Sequence, residues 1–299
     1  MKKPDWVRVR LPAGDAGRRV ETALERHGLH TVCDEARCPN RGECWGAGTA
    51  AFMIMGDICT RACRFCAVAS ARTGRPLRNE EGAEIALAAE ELGLRYVVLT
   101  SVDRDDLADR GAGHFAACAA AVRKRLPGVP VEVLVPDYTA AELAAFAGAL
   151  PEVIAHNVET VRSLQWVRDS RASFDQSLAT LRAAKALGPR TKTSLLLGLG
   201  ETTGEVLSAM DELRAAEVDM LVMGQYLRPS PRQLPVAEYL SPERFDMLAA
   251  EARRRGFSAV TAAPFARTSY HAMESAASAS GAAPGAPPVN GTAPVSHAD

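Results

Sequence analysis

Six of the seven cysteines lie between residues 33 and 66, in two groups of three. "CDEARCPNRGECW" (33–45) spaces Cys33, Cys38 and Cys44 as C-x4-C-x5-C, and "CTRACRFC" (59–66) spaces Cys59, Cys63 and Cys66 as C-x3-C-x2-C. A disulfide framework spreads its cysteines over the fold, and an odd total cannot pair completely, so thiolate ligation of metal is the better reading. A structural zinc site closes its tetrahedron with four Cys or His ligands, whereas the second triplet offers three and has no histidine within or beside it. Three thiolates suit a cubane [4Fe-4S] cluster with one iron left without a protein ligand, and an open iron is a place for chemistry. The competing readings are a zinc site that borrows a distant ligand, and an electron-carrier cluster with a fourth cysteine elsewhere. Cys118 is the only spare for the latter; it shares a helical face with Phe115 and Val122 and reads as a small buried hydrophobe.

The elements that must position these thiols follow from periodicity. Short apolar runs at 51–56, 96–101, 131–136, 153–158, 193–200 and 220–227 read as strands buried on both faces. Helical stretches separate them: one with Phe174, Leu178, Leu181 and Leu187 stopping at Gly188-Pro189, one with Val206, Met210 and Leu213, and one from Ser241-Pro242 to Gly256. Six strand-helix units with right-handed crossovers predict an α/β fold, a partial TIM-type (β/α)6 barrel. An open doubly wound sheet shares the alternation, but no G-x-G-x-x-G follows the first strand. Cys59 comes directly after the first strand, which puts the second triplet at the C-terminal mouth where barrel enzymes work. The expected organisation is an N-terminal extension with the first triplet (1–50), the barrel (51–256), a C-terminal cap (257–274) and a disordered Ala/Pro/Gly/Ser tail (275–299). The run 257–265 is expected as an extra strand or part of that cap.

Bulk properties narrow the function. The 299 residues are 47% hydrophobic, 24% charged and 5% aromatic, a globular composition. Thirty-five Lys and Arg against 36 Asp and Glu give a net charge of -1, with no basic excess for nucleic acid or an anionic membrane. The start lacks a secretory h-region and no run approaches a membrane span, so a cytoplasmic protein is expected.

The C-x3-C-x2-C spacing, with Phe65 just before the third cysteine, resembles the radical S-adenosylmethionine (SAM) superfamily. With "CPNRGECW" upstream, the chain resembles the lipoyl synthase family, through "KPDWVRVRLP" (3–12), "TSVDRDDL" (100–107), "HNVETV" (156–161), "GLGET" (198–202), "GQYLRPS" (224–230) and "RTSYHA" (267–272). Other sulfur-inserting radical SAM enzymes, a simple electron carrier or a zinc module would share parts of this set but not the pairing of "CPNRGECW" with "RTSYHA". The resemblance implies SAM and two [4Fe-4S] clusters as cofactors. Cys59, Cys63 and Cys66 would hold the cluster that cleaves SAM to methionine and a 5'-deoxyadenosyl radical. Cys33, Cys38 and Cys44 would hold the cluster that gives up its sulfide. In the family a serine of the last motif is the fourth ligand of that cluster; the usual R-S-S-Y reads Arg267-Thr268-Ser269-Tyr270 here, so Ser269 is the candidate, with Thr268 as the alternative. "LADRGAGHF" (107–115) and "TKTSLLLGLGE" (191–201) depart more mildly from the family pattern and remove no ligand.

The implied reaction inserts two sulfurs at C6 and C8 of an octanoyl chain linked to a carrier lysine. Those carbons are unactivated, so hydrogen-atom abstraction is needed where acid-base catalysis has no hold. The implied partners are octanoylated lipoyl carrier domains (2-oxoacid dehydrogenase E2 subunits, glycine cleavage H protein), a one-electron reductant such as flavodoxin or ferredoxin, and an iron-sulfur carrier protein. For SAM contacts the resemblance points to Phe65, Ser101, Asn157, Glu159, Gly198, Gly200, Glu201, Gln225 and Tyr226, most of them polar positions that end apolar strands at the mouth. Arg168 and Lys192 are weaker candidates, since lone cations are usually solvated or ion-paired, and His156 and His271 read as packed or hydrogen-bonded side chains. A radical needs a dry site, so residues 1–50 and "RTSYHA" are expected to close over the mouth together.

Overall fold

The computed structural model describes residues 3–7, 15–38, 40–46 and 51–279. Pro39 of "CPNRGECW", residues 8–12 of "KPDWVRVRLP" and the tail beyond Ala279 lie outside the described residues. The strands are His30–Thr31 (β1), Ala51–Ile54 (β2), Ile58–Cys59 (β3), Ala69–Ser70 (β4), Val97–Ser101 (β5), Val131–Leu134 (β6), Val153–Ala155 (β7), Arg190–Leu197 (β8), Met220–Gln225 (β9) and Ala259–Ala263 (β10). One eight-stranded sheet runs in the order β1-β2-β5-β6-β7-β8-β9-β10, and β3 with β4 forms a separate ribbon. From β2 to β10 every neighbouring pair in the large sheet is parallel; only β1 is antiparallel to β2. All six expected strands are present, in chain order, as in a partial TIM-type barrel.

The helices are Asp15–His27 (α1), Val32–Glu35 (α2), Arg41–Gly46 (α3), Glu81–Glu91 (α4), Ala112–Arg125 (α5), Ala140–Leu143 (α6), Phe174–Ala186 (α7), Thr203–Ala215 (α8), Pro242–Arg254 (α9) and Ala272–Ala279 (α10). One apolar cluster joins β2, β5 and β6 to α1, α4 and α5, and a second joins β8 and β9 to α7, α8 and α9. Their ends carry local signals: Ser173 accepts from Gln176 N to open α7, and Thr139 and Thr202 form capping boxes with Glu142 and Glu205. None of the helices among the described residues is long and apolar enough to cross a membrane.

Two boundaries move. The run 257–265 supplies β10, paired to β9 from Ala259↔Met220 to Ala263↔Gly224, so the parallel array continues past residue 256. A β9 edge left bare would have exposed a full row of backbone donors and acceptors. Residues 275–279, expected as the start of the tail, are helical: α10 buries Ala272, Ser275 and Ala276, and its alanines pack against Ala51, Tyr96, Val98, Val153, Met220 and Ala259, at the N-terminal ends of five strands. Alanine and serine pack there alongside Met273, which is why its composition resembles a linker.

β8 also begins three residues before the expected run, at Arg190. Thr191 and Lys192 are fully buried there. Lys192 Nζ lies 2.9 and 3.0 Å from the carboxylate oxygens of buried Glu132, which also accepts from Tyr96 Oη at 2.9 Å. Lys192 is therefore an ion-paired group at the barrel's N-terminal end, away from the mouth.

Candidate functional site

The second cysteine triplet is delivered by a sharp exit from β2. Met55 and Gly56 both have positive φ, 67° and 87°, and the turn is clamped on both sides of Met55. Its N–H donates to both Glu81 carboxylate oxygens, at 3.2 and 3.1 Å, and its carbonyl accepts from Arg104 at 3.4 Å. Glu81 is 2.6 Å from His114 Nε2, which is 3.6 Å from Cys118 Sγ. The ligand-type atoms of Glu81, His114 and Cys118 all lie within 4.8 Å of one another; the closest pair is a hydrogen bond and Glu81 already carries a backbone N–H. Cys118 is buried, as expected, on the α5 face that meets this clamp.

Beyond the turn, β3 and β4 bring the ends of the cysteine loop together, with Ala71 N donating to Cys59 O at 3.0 Å. Arg61, buried inside the loop, holds Asp105 through two 2.9 Å bonds, Asp137 at 2.8 Å and Asp103 at 3.4 Å. The loop is further held by Asp103 O, which accepts from Thr60 N at 2.9 Å, by Val167 O, which accepts from Arg64 N at 2.8 Å, and by Asp169, which accepts from Ala62 N at 3.0 Å. "TSVDRDDL" thus acts as the seat of the cysteine loop. Backbone N–H groups of Arg61 and Asp169 approach Cys59 Sγ and Cys63 Sγ at 3.4 and 3.3 Å, the polarity a thiolate needs.

The first triplet is held by two short helices. Thr31 caps α2, which carries Cys33, and α3 carries Cys44; Cys38 lies between them, its N–H donating to Cys33 O at 3.0 Å. Burial pushes the Cys33 thiol up to about 11 and the Cys44 thiol up to about 12, and neighbouring cysteines of the same trio add to both rises. Burial likewise raises Cys59 and Cys63 to about 12 and Cys66 to about 11. Thiols in such surroundings become thiolates only when a cation arrives, and metal uptake then releases protons.

The two trios are brought together by the C-terminal segment. Asn40 Nδ2 donates to Phe265 O at 2.6 Å, and Tyr270 Oη to Glu43 at 2.8 Å. A Cβ on Gly224, in β9, would meet Ala266 O at 2.0 Å, so only glycine lets this segment cross the strand end. The result is a cavity of about 530 Å³, of a size for a small organic ligand, lined by Cys38 from one trio, Cys59, Cys63 and Cys66 from the other, and Ser269. Thr268 is buried, its hydroxyl donating to Asn157 Oδ1 at 2.9 Å and lying 3.1 Å from Ser194 Oγ.

Of the expected SAM contacts, Phe65, Ser101, Asn157, Glu159 and Tyr226 line this cavity. Ser101 Oγ is buried with no hydrogen-bond partner, and Glu159 stands at φ 65° with its carboxyl raised by burial against the pull of Arg168. Gly198, Gly200, Glu201 and Gln225 do not reach it. Glu201 turns back to accept from Gly198 N at 2.5 Å and Leu199 N at 3.0 Å. Gln225 is buried and engages Leu197 O, Glu238 O and Leu240 N at 2.9–3.0 Å. A polar strand end serves its own backbone as readily as a ligand, and periodicity does not separate the two uses.

Three cavity residues went unread or under-weighted. Asp103 lies 3.8 Å from Cys59 Sγ, and burial pushes its carboxyl up to about 6; its signal was the dense charge run directly after the second strand. Arg168 is buried, bonded to Gln165 Oε1 at 3.0 Å and Ser177 Oγ at 2.9 Å. Arg267 is buried near Cys38 and Glu159, which favour its charge against burial. His271 is half exposed between Glu43 and Glu274.

His156 is packed as expected. Its Nδ1 is 3.0 Å from Val135 O, which can only accept, so Nδ1 carries the proton and Nε2 accepts from Ser177 Oγ at 2.9 Å. Burial, helped by Arg168, pushes its pKa down to about 4, against about 6.5 in an unfolded chain. Between these values the unfolded chain binds the proton more readily. The stabilisation is therefore complete above about pH 6.5 and is lost as pH falls towards 4, up to roughly 3 kcal/mol. Denaturant titration of metal-free protein at about pH 7 and about pH 4.5 is expected to show a smaller acid loss in His156→Gln than in the parent; equal losses would refute the assignment.

A barrel of this topology with three cysteines on its first βα loop defines a radical SAM protein. The family model described as the Radical SAM superfamily matches residues 53–213, more than half of the chain. Membership of that superfamily carries with it a [4Fe-4S] cluster and SAM. More particularly, a lipoyl synthase of Methanocella arvoryzae is 50% identical over 277 residues, covering 91% of this chain and 94% of the relative. One of Thermus thermophilus is 52% identical over 279 residues, covering 90% and 85%. The chain belongs to the lipoyl synthase family. Among solved structures, methylornithine synthase aligns with TM-score 0.57 at 17% identity, over 82% of this chain and 70% of that one. The hydrogenase maturase HydG from Carboxydothermus hydrogenoformans aligns with TM-score 0.57 at 13% identity, over 82% and 64%. At such identities the likeness is one of fold.

Proposed function

We propose that this chain makes the lipoyl group in place, inserting sulfur at C6 and C8 of an octanoyl chain amide-linked to a lysine of a lipoyl carrier domain. The observation that carries the reading is that Cys38 of one trio and all three cysteines of the other line one cavity. The donor chemistry fits two clusters: two sets of three cysteines, Cys33 buried and the others partly buried, all free of disulfides, and each set lacking the fourth thiolate of a closed iron-sulfur site. When bound, one cluster would supply the electron that cleaves SAM and the other the sulfide that ends on the acyl chain.

The chain's own residues bind, orient and exclude water. Cys59, Cys63 and Cys66 hold the first cluster on a loop that Arg61 fixes. Cys33, Cys38 and Cys44 hold the second, with Ser269 as fourth ligand; both Thr268 and Ser269 line the cavity that Cys38 borders, but Thr268's hydroxyl is already bonded to Asn157. Asp103 is placed to take the methionyl ammonium of SAM and Arg168 its carboxylate. Ser101, whose hydroxyl has no partner, is a natural contact for a ribose hydroxyl. Lys3, Val32, Ala36 and Arg37 on one side and Ala266 to Ser269 on the other act together as the wall that keeps water from the radical.

Anaerobic reconstitution with iron and sulfide counting tests the two-cluster reading. About eight of each per chain are expected, together with conversion of an octanoyl-lysine peptide to the dithiolated product. About four of each, with the peptide unchanged, would remove the second site and the function with it.

A further inference from the structure

Arg168 lines the cavity with one end of its guanidinium tied and the other free. Nη1 donates to Gln165 Oε1 at 3.0 Å and to Ser177 Oγ at 2.9 Å, and the same atom lies 3.5 Å from Ser173 O. Nη1 has two hydrogens, and the two short bonds use both. Nε and Nη2 make no hydrogen bond among the described residues. Those two nitrogens form the edge whose parallel N–H bonds match a carboxylate. Arg61 uses that edge on both oxygens of Asp105, at 2.9 Å each. At Arg168 no carboxylate of the described residues takes it; Glu159, which feels its charge, is hydrogen-bonded to Asn157.

The tied end has a fixed direction of donation. His156 carries its proton on Nδ1, bonded to Val135 O, so Ser177 Oγ gives its own proton to Nε2 and turns its lone pairs to Arg168. Gln165 Nε2 donates to Thr160 O at 2.8 Å and Val158 O at 3.2 Å, which leaves Oε1 as the acceptor for Arg168. The residues on either side of Arg168 set its place. Val167 O accepts from Arg64 N at 2.8 Å, and Asp169 N lies 3.3 Å from Cys63 Sγ. A carboxylate held by Arg168 therefore stands beside the loop that carries Cys59, Cys63 and Cys66.

We propose that Gln165 and Ser177 are positioning residues for the reaction: they tie off Nη1 so that Nε and Nη2 of Arg168 meet the methionyl carboxylate of SAM as a pair, and His156 fixes the proton of Ser177. This rests on the function proposed above. Neither Gln165 nor Ser177 lines the cavity, and Ser177 is fully buried on α7, so both act through Arg168. With either tie removed the guanidinium can turn about its own bonds, and the carboxylate is then met by one N–H where two were aligned. The loss falls on ligands that carry a carboxylate and spares those that do not.

The test compares the reconstituted parent protein with Ser177→Ala, Gln165→Leu and Arg168→Lys. The probes are SAM and decarboxylated SAM, which keeps the sulfonium, the adenosine and the amine but has no carboxylate. Affinities are read by anaerobic calorimetry, and SAM cleavage is driven by dithionite. The parent is expected to bind SAM about tenfold or more tighter than the decarboxylated compound. Ser177→Ala and Gln165→Leu are each expected to weaken SAM binding about fivefold to tenfold and to leave decarboxylated SAM within about twofold. KM for SAM rises in step, while kcat at saturating SAM stays within about twofold. Arg168→Lys keeps the charge and is expected to lose most of the preference for SAM, because an ammonium offers no paired edge. Parental SAM affinity in both Ser177→Ala and Gln165→Leu overturns the positioning role. So does an equal loss for the two probes, the mark of a loosened fold. If the parent cleaves SAM without preferring it to the decarboxylated compound, this inference falls alone; if it cleaves no SAM, the function proposed above falls with it.

Discussion

Cys38→Ala is expected to go on cleaving SAM while forming no sulfur-bearing product, whereas Cys63→Ala is expected to do neither. Both side chains meet the same cavity, yet they belong to trios with separate scaffolds. Cys63 sits in a loop seated on Arg61, Asp103 and Asp169, and Cys38 in a helical pair tied to Phe265 and Tyr270. Removing one ligand should empty its own site and leave the other folded, so iron is expected to fall from about eight to about four per chain in either variant. Only the fate of SAM differs: cleavage at parental levels in Cys38→Ala, background in Cys63→Ala. Ser269→Ala should behave as Cys38→Ala does, and Thr268→Ala should keep product formation if Ser269 is the ligand. Lipoyl product from Cys38→Ala at the parental rate would sink the assignment of donor and radical sites.

Arg61→Met carries the largest expected loss of stability. The guanidinium is buried and meets three carboxylates, of which Asp137 is also buried, and burial has already pushed Asp103 up to about 6. Taking the cation away leaves buried negative charges facing one another, and breaking such a pair from one side costs about 3–5 kcal/mol. Arg61→Lys should recover only part, because an ammonium cannot keep both bonds to Asp105 while reaching Asp137. Guanidinium denaturation of metal-free protein measures the loss. Iron retention reports the second effect, release of the loop that presents Cys59, Cys63 and Cys66. A change below about 1 kcal/mol with full iron retention would show that the loop does not depend on this seat.

What could be read along the chain was whatever repeats or clusters locally. Six buried strands announced themselves as β-branched runs, and each cysteine trio is complete within a dozen residues. The misreadings fall where polarity and position disagree. Lys192 looked like a loose cation because its partner Glu132 is 60 residues away in another strand. Gln225 and Glu201 looked like ligand contacts, because the backbone groups that absorb them belong to turns whose shape no periodicity encodes. α10 resembled the start of a linker, since alanine and serine pack at the foot of the barrel as well as they suit a coil.

The amino-acid sequence by itself determined that this chain carries two sets of three cysteines at ligand spacing, and that one set would leave the first strand of a parallel βα array, because ligand spacing and hydrophobic period are local properties of a chain. Only the tertiary structure decided that Cys38 of one set and all three cysteines of the other line one cavity, that Asp103 and Arg168 join them, and that Thr268, which also lines it, has its hydroxyl bonded to Asn157. Those relations depend on segments more than 200 residues apart, Asn40 to Phe265 and Glu43 to Tyr270, meeting over the mouth. Such meetings are set by how whole strands and helices pack, and no pattern within a single segment records them.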